Sequence, residues 1–195
     1  MGQKTDIYLA NLEASIKEDL EKEIGINKIS ELKNFSFQNF EEFRKAYHDN
    51  KISLASDYSY DKLMIYATKS EIVMHHIWIG LPILIIIFNI LFAIFSKNWI
   101  ILFGCLTALL GNLTSSPHFK PRNTLTSISI IAFIAFIFIE WKIALIIGSF
   151  TLSIMFTMLA RETYKQVIID RAMYSETLFI WLFVGGTLLV RDNTK

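Results

Sequence analysis

IWIGLPILIIIFNILFAIF, residues 77–95, runs for nineteen residues without a charged side chain. At roughly 1.5 Å per residue, about twenty apolar residues cross a hydrocarbon core, so this stretch predicts a transmembrane helix. Gly80 and Pro82 near its start predict a hinge, because proline lacks the amide that would bond the carbonyl one turn back.

Similar runs follow downstream. After a short turn at Ser96–Asn98, WIILFGCLTALLGNL predicts a second span over 99–114. LTSISIIAFIAFIFI predicts a third over 124–139, and IALIIGSFTLSIMFTML a fourth over 143–159, with Glu140-Trp141-Lys142 as the turn between them. Residues 160–176 stay amphipathic and extend the fourth helix into the interface. TLFIWLFVGGTLLV, residues 177–190, is shorter and interrupted by Gly185-Gly186. It reads as a fifth span over locally thinned lipid, or as a re-entrant segment.

Upstream, residues 1–76 have a different character. They carry 10 Lys/Arg against 13 Asp/Glu, net −3, whereas residues 77–195 carry 9 against 5, net +4. Leu9, Leu12, Ile16, Leu20 and Ile24 recur every three or four residues and predict an amphipathic helix ending at Gly25. Asn39 with Glu42 three residues on has capping-box spacing, with Phe40, Phe43 and Tyr47 on one face behind it. A third helix starting near Asp57 or Ser59 is expected to run unbroken from about Asp61 into the first span. The pattern therefore predicts an all-α protein: a polytopic helical membrane bundle of four or five spans over 77–195, preceded by a small, acidic, cytosolic helical head over 1–76.

No apolar core of an export signal precedes residue 77, which makes that run the first insertion signal. With a cytoplasmic N-terminus, short-loop basic residues divide seven to four. Lys62, Lys69, Lys120, Arg122, Arg161, Lys165 and Arg171 lie inside, and Lys97, Lys142, Arg191 and Lys195 outside. The expected location is thus the cell (inner or plasma) membrane, with the N-terminus cytoplasmic. The single cysteine, Cys105, falls within a span and excludes an intrachain disulfide. No basic patch with interleaved aromatics points to nucleic acid.

The spans contain few groups for chemistry. Asn89 is the one strongly polar residue at depth, and an interhelical hydrogen bond is its expected role. No acid or histidine sits mid-span, which argues against a proton-coupled carrier. Ser149, Ser153 and Thr157 repeat every four residues, as do Gly104, Ala108 and Asn112. Such stripes let backbones approach closely, either within the chain or between copies, where they would form an association face or a Ser/Thr-lined pore.

NLTSSPHFKPRNTL, residues 112–125, is the densest polar stretch between spans. His118, Lys120, Arg122 and Asn123 lie before a helix start, and Arg161, Lys165 and Arg171 fall on the same side. Together they suit a lipid phosphate, with His118 as the candidate catalytic proton donor or acceptor. Basic residues beside a span also fix topology and attract anionic lipid without any chemistry. His75 and His76 are adjacent and diverge on a helix, and no HxxxH, HExxH or CxxC occurs, so neither a metal nor a cofactor is read. The favoured function is interaction: the head docks a partner, and the bundle self-associates or binds a membrane protein, as in a channel-like effector or an immunity-type protein. The alternative is a membrane-embedded enzyme acting on a lipid headgroup or lipid-linked substrate through His118, Lys120 and Arg122.

Overall fold

The apolar stripe of the first helix, α1 (Gln3–Glu23), buries Leu9, Ile16 and Leu20. Gly25, at φ 68°, ends it by donating its N–H to Leu20 O, a left-handed closure that favours glycine. The computed structural model describes residues 3–33, 35–57, 59–115 and 121–193. It is mostly helical and falls into two compact units: the chain up to Ile72 together with the chain from Thr163 on, and Val73–Glu162 between them.

In the first unit, Asn39 caps α2 (Phe40–His48) by accepting the Glu42 amide at 2.8 Å. Asn50 turns the chain at φ 57°, and Lys51 N–H reaches back to Ala46 O. Strand β1 (Ile52–Ser56) follows, then α3 (Tyr60–Tyr66). The helix expected to continue from Asp61 into the apolar run is broken here. Ala67 is extended, and α4 (Lys69–Ser96) starts afresh behind Thr68. Thr68 N–H and Oγ1–H donate to Glu71 Oε2 at 2.6 and 2.8 Å, the Thr-x-x-Glu half of a capping box. The cap gives α4 its own beginning.

The unit between contains most of α4, a 3-10 turn (Trp99–Leu102) leading into α5 (Phe103–Thr114), α6 (Arg122–Ile139) and the start of α7 (Trp141–Tyr174). Among the described residues, α4, α6 and α7 are long and apolar enough to cross a membrane, while Trp99–Thr114 is shorter. Pro82 lies inside an uninterrupted α4. At 34 residues α7 rises about 51 Å, more than a hydrocarbon core needs, and its last turns belong to the first unit.

The last apolar run departs most from expectation. Residues 177–190 do not form one long helix. Ser175 accepts the Leu178 amide and starts α8 (Glu176–Val184), nine residues and about 13 Å long, too short to span. Gly185-Gly186 ends it, with Gly186 at φ 65° and Thr187 N–H bonded to Leu182 O. The chain then forms β2 (Leu188–Asp192), antiparallel to β1 with Ile52 opposite Asp192 and Leu54 opposite Val190. The protein is therefore not all-α, and the head is not confined to residues 1–76. Leu178, Phe179, Ile180 and Leu182 are all buried in its core, and the Phe179 ring lies 4.4 Å from that of Phe43 on α2. Phe35, Phe37, Phe40 and Phe183 extend that aromatic cluster.

This placement makes Phe179→Ala a core truncation, with an expected cost of about 3–5 kcal/mol. Limited proteolysis of the purified protein should then cut within α2 and β1 much faster than in the wild type. Leu113→Ala on α5, where the side chain is 73% exposed, should leave the digestion pattern unchanged. Equal digestion of both variants would contradict the packing.

Candidate functional site

Two polar constellations stand out, one in each compact unit. In the first, Arg171 on α7 is fully buried. A buried guanidinium is tolerable only when paired and hydrogen-bonded. Its Nη2 donates to Glu71 Oε2 at 2.5 Å, and its Nε donates to Tyr66 O at 2.9 Å, the last carbonyl of α3. Glu71 Oε2 is the same oxygen that caps α4. Glu71 and Arg171 together thus hold the end of α3, the start of α4 and the last turn of α7.

The surroundings close over this clasp. Tyr8 on α1 donates its hydroxyl to Ile65 O at 2.8 Å, and Trp181 Nε1 donates to Tyr66 Oη at 2.9 Å. Burial pushes the Tyr66 phenol above its ordinary pKa, opposed by the Trp181 hydrogen bond. Burial also raises that of Tyr8, with the Arg171 charge pulling it back and the Glu71 charge adding to the rise. Glu176 on α8 accepts the Ile29 amide at 2.6 Å, a further tie between the chain's two ends. Sequence reasoning places Arg171 at the membrane surface among phosphate contacts. Instead it is internal, neutralised by Glu71, and unavailable to a headgroup. The missed partner had a signal: TKSE, residues 68–71, has capping-box spacing.

The second constellation lies where α4, α5 and α7 meet. Asn89 is buried, and its Nδ2 donates to Ser149 Oγ at 2.9 Å and to Ile85 O at 2.9 Å. Ser149 Oγ donates in turn to Leu145 O. Asn89 Oδ1 fills the space a side chain on Gly104 would take: a methyl there would sit 2.4 Å from it. Lower on the same seam, Thr107 Oγ1 donates to Ile146 O and Thr157 Oγ1 to Asn112 Oδ1. Ala108 and Ser153 are buried, and a methyl on Gly111 would lie 2.5 Å from Phe150 O. Both small-residue stripes are therefore used against each other within one chain. Asn112, at the end of one stripe, remains exposed, and Thr157 is half-buried.

The polar loop contributes less. His118 and Lys120 lie outside the described residues. Arg122 donates to Asn123 Oδ1 at 3.3 Å and to Ser115 O at 3.4 Å, which closes the base of α6 onto the end of α5. Lys165 lines a polar depression of about 380 Å3 with His48, Ser53 and Asn193. Arg161 belongs to the middle unit, whereas Lys165 and Arg171 belong to the first. His75 is buried with Nδ1 3.0 Å from Ala160 O, and His76 lies beside it at 6.3 Å between ring centroids. Among the described residues no three His, Cys, Asp or Glu side chains converge in a way that could hold a metal.

Arg171→Ala leaves Glu71 without its ion partner and opens a hole, so unfolding should become easier by about 3–5 kcal/mol. Glu71→Gln preserves shape and should cost less, and Glu71→Gln with Arg171→Met should recover part of the loss. Denaturant titrations of the four proteins test this, and additive losses would refute the clasp. The glycines offer a second test. Gly111→Ala forces a methyl against a backbone carbonyl and should destabilise by about 1–3 kcal/mol. Gly80→Ala, with nothing within 4 Å, should be neutral or gain up to about 1 kcal/mol from helix propensity. Thermal unfolding in detergent, followed by size-exclusion chromatography, separates the two.

Comparison of the chain with protein-family models, with curated proteins and with solved structures finds no match.

Proposed function

We propose that the chain is a multi-pass protein of the cell membrane that acts through protein contacts, with its first compact unit as a cytoplasmic docking head. The observation that carries this reading is how polarity is distributed in the middle unit. Ile131, Ile134, Phe138 and Ile139 on α6, and Ile83, Leu84, Phe88 and Leu91 on α4, are exposed. Most polar groups at depth meanwhile bond within the unit, Asn89 Nδ2 to Ser149 Oγ, Thr157 Oγ1 to Asn112 Oδ1 and Thr107 Oγ1 to Ile146 O. Asn89 Oδ1 and Ser153 Oγ are buried without a hydrogen-bond partner among the described residues. Lipid is the solvent that suits such an outside, since it offers polar groups no partners of its own.

Connectivity supports a definite topology. β1 and β2 flank the middle unit in sequence and pair with each other. A chain that returns to the side it left crosses an even number of times, which fits four crossings by α4, 99–114, α6 and α7. With 177–190 no longer a span, Arg191 and Lys195 join the head's side. Only Lys97 and Lys142 remain opposite, and the charge bias toward a cytoplasmic head becomes steeper.

Within interaction proteins, the closed Ser149–Ser153–Thr157 seam favours an immunity-type or partner-binding role over a pore lined by those residues. In a Cys105→Ser background, Ser36→Cys and Arg191→Cys should react with a membrane-impermeant maleimide only once the cytoplasmic side is opened. Lys97→Cys and Lys142→Cys should react in intact cells. Arg191→Cys labelling together with Lys97→Cys would overturn the four-crossing topology. The mass of the detergent-solubilised protein should exceed that of one chain plus its micelle, through further copies or a co-purifying partner. A bare monomer would count against an interaction role.

A further inference from the structure

The head is acidic overall, yet one part of its surface is apolar. Among the described residues of the first unit, seven large hydrophobic side chains are exposed, and four of them belong to α3 or the start of α1: Ile7 (58%), Tyr60 (42%), Met64 (47%) and Ile65 (55%). Tyr60 and Met64 are one turn apart on α3, with Ile65 beside Met64. The opposite side of the same helix is core, with Leu63 and Tyr66 buried. Tyr8 ties α1 to this place through Ile65 O, which brings Ile7 into the neighbourhood. Asp61 shares the α3 surface but sits in its first turn, where the helix dipole favours an acid.

From this placement we infer that α3, with the start of α1, seats the head in the headgroup layer of the bilayer, lipid itself being the partner of the patch. The inference rests on the membrane reading given above. The chain's reach selects the occupant. Along α4 the exposed apolar side chains begin at Val73 and Met74, ahead of the uncharged run at Ile77. From Lys69 to Val73 the helix rises only about 6 Å, and three residues separate Ile65 from Lys69, a reach of about 14 Å at full stretch. Ile65 is thus tethered within about 20 Å of the backbone that bears the first lipid-facing side chain. Interfacial amphipathic helices insert about 5–10 Å at the headgroup boundary, and tyrosine is enriched at that depth.

The test uses the full chain with Cys105→Ser, reconstituted in nanodiscs of phosphatidylcholine and phosphatidylglycerol. A single cysteine carries an environment-sensitive fluorophore, with or without phosphatidylcholine bearing a nitroxide near its headgroup. Met64→Cys and Ile65→Cys should be quenched several-fold more than Glu42→Cys on α2. Ile137→Cys on α6 reports the membrane reading independently. If Ile137→Cys is quenched while positions 64 and 65 behave like position 42, the seating is wrong and the membrane reading stands. If Ile137→Cys is not quenched, the membrane reading fails and the seating with it. Labels at 64 and 65 that are shielded from water but unquenched by lipid would mean that protein, such as a second copy, covers the patch; that also overturns it.

Discussion

The buried pair of Arg171 and Glu71 is the contact on which the first unit's architecture depends. Without a partner, a guanidinium in a core costs several kcal/mol, so α7 cannot occupy its place unless Glu71 is present. Glu71 is in turn fixed by its role at the head of α4, where Thr68 donates to the same oxygen. The consequence is geometric. The helix that leaves the unit and the helix that returns to it are joined at one carboxylate, next to the break between α3 and α4. The end of α3 is tied to Arg171 through Tyr66 O and to α8 through Tyr66 Oη.

The same pair explains where sequence reasoning holds and where it does not. Periodicity identifies α1, the Asn39 cap identifies α2, and uncharged length identifies the apolar stretches of α4, α6 and α7. These signals are local and strong. The unbroken passage from Asp61 into α4 fails because apolar periodicity outweighs TKSE, whose capping value emerges only when Thr68 and Glu71 are read together. Arg171 looks like a surface cation because a lone arginine in an amphipathic helix usually is one. Its partner lies a hundred residues away, and no spacing rule reaches that far.

The segment from Thr177 to Val190 is ambiguous for a physical reason. A helix apolar all round is buried either in lipid or in a protein core, and composition alone does not say which. Length and the Gly185-Gly186 stop favour the core. The partners that receive Leu178 and Phe179 are a hundred or more residues upstream. The two strands are five residues each, too short for alternation to stand out, and they pair across most of the chain. The small-residue stripes pose the converse case. Their spacing reveals that something packs closely on them, but only the geometry shows that α5 and α7 pack on each other.

Each compact unit has its own constraint on α4 and α7. The seam around Asn89 joins α4, α5 and α7 by hydrogen bonds and by close approach at glycine, where Gly104 and Gly111 leave no room for movement without cost. A shift of α4 relative to α7 cannot be absorbed smoothly at that seam. The clasp at Glu71 constrains the same two helices at their other end. Between Glu71 and Asn89, Pro82 is a point where α4 lacks a backbone donor.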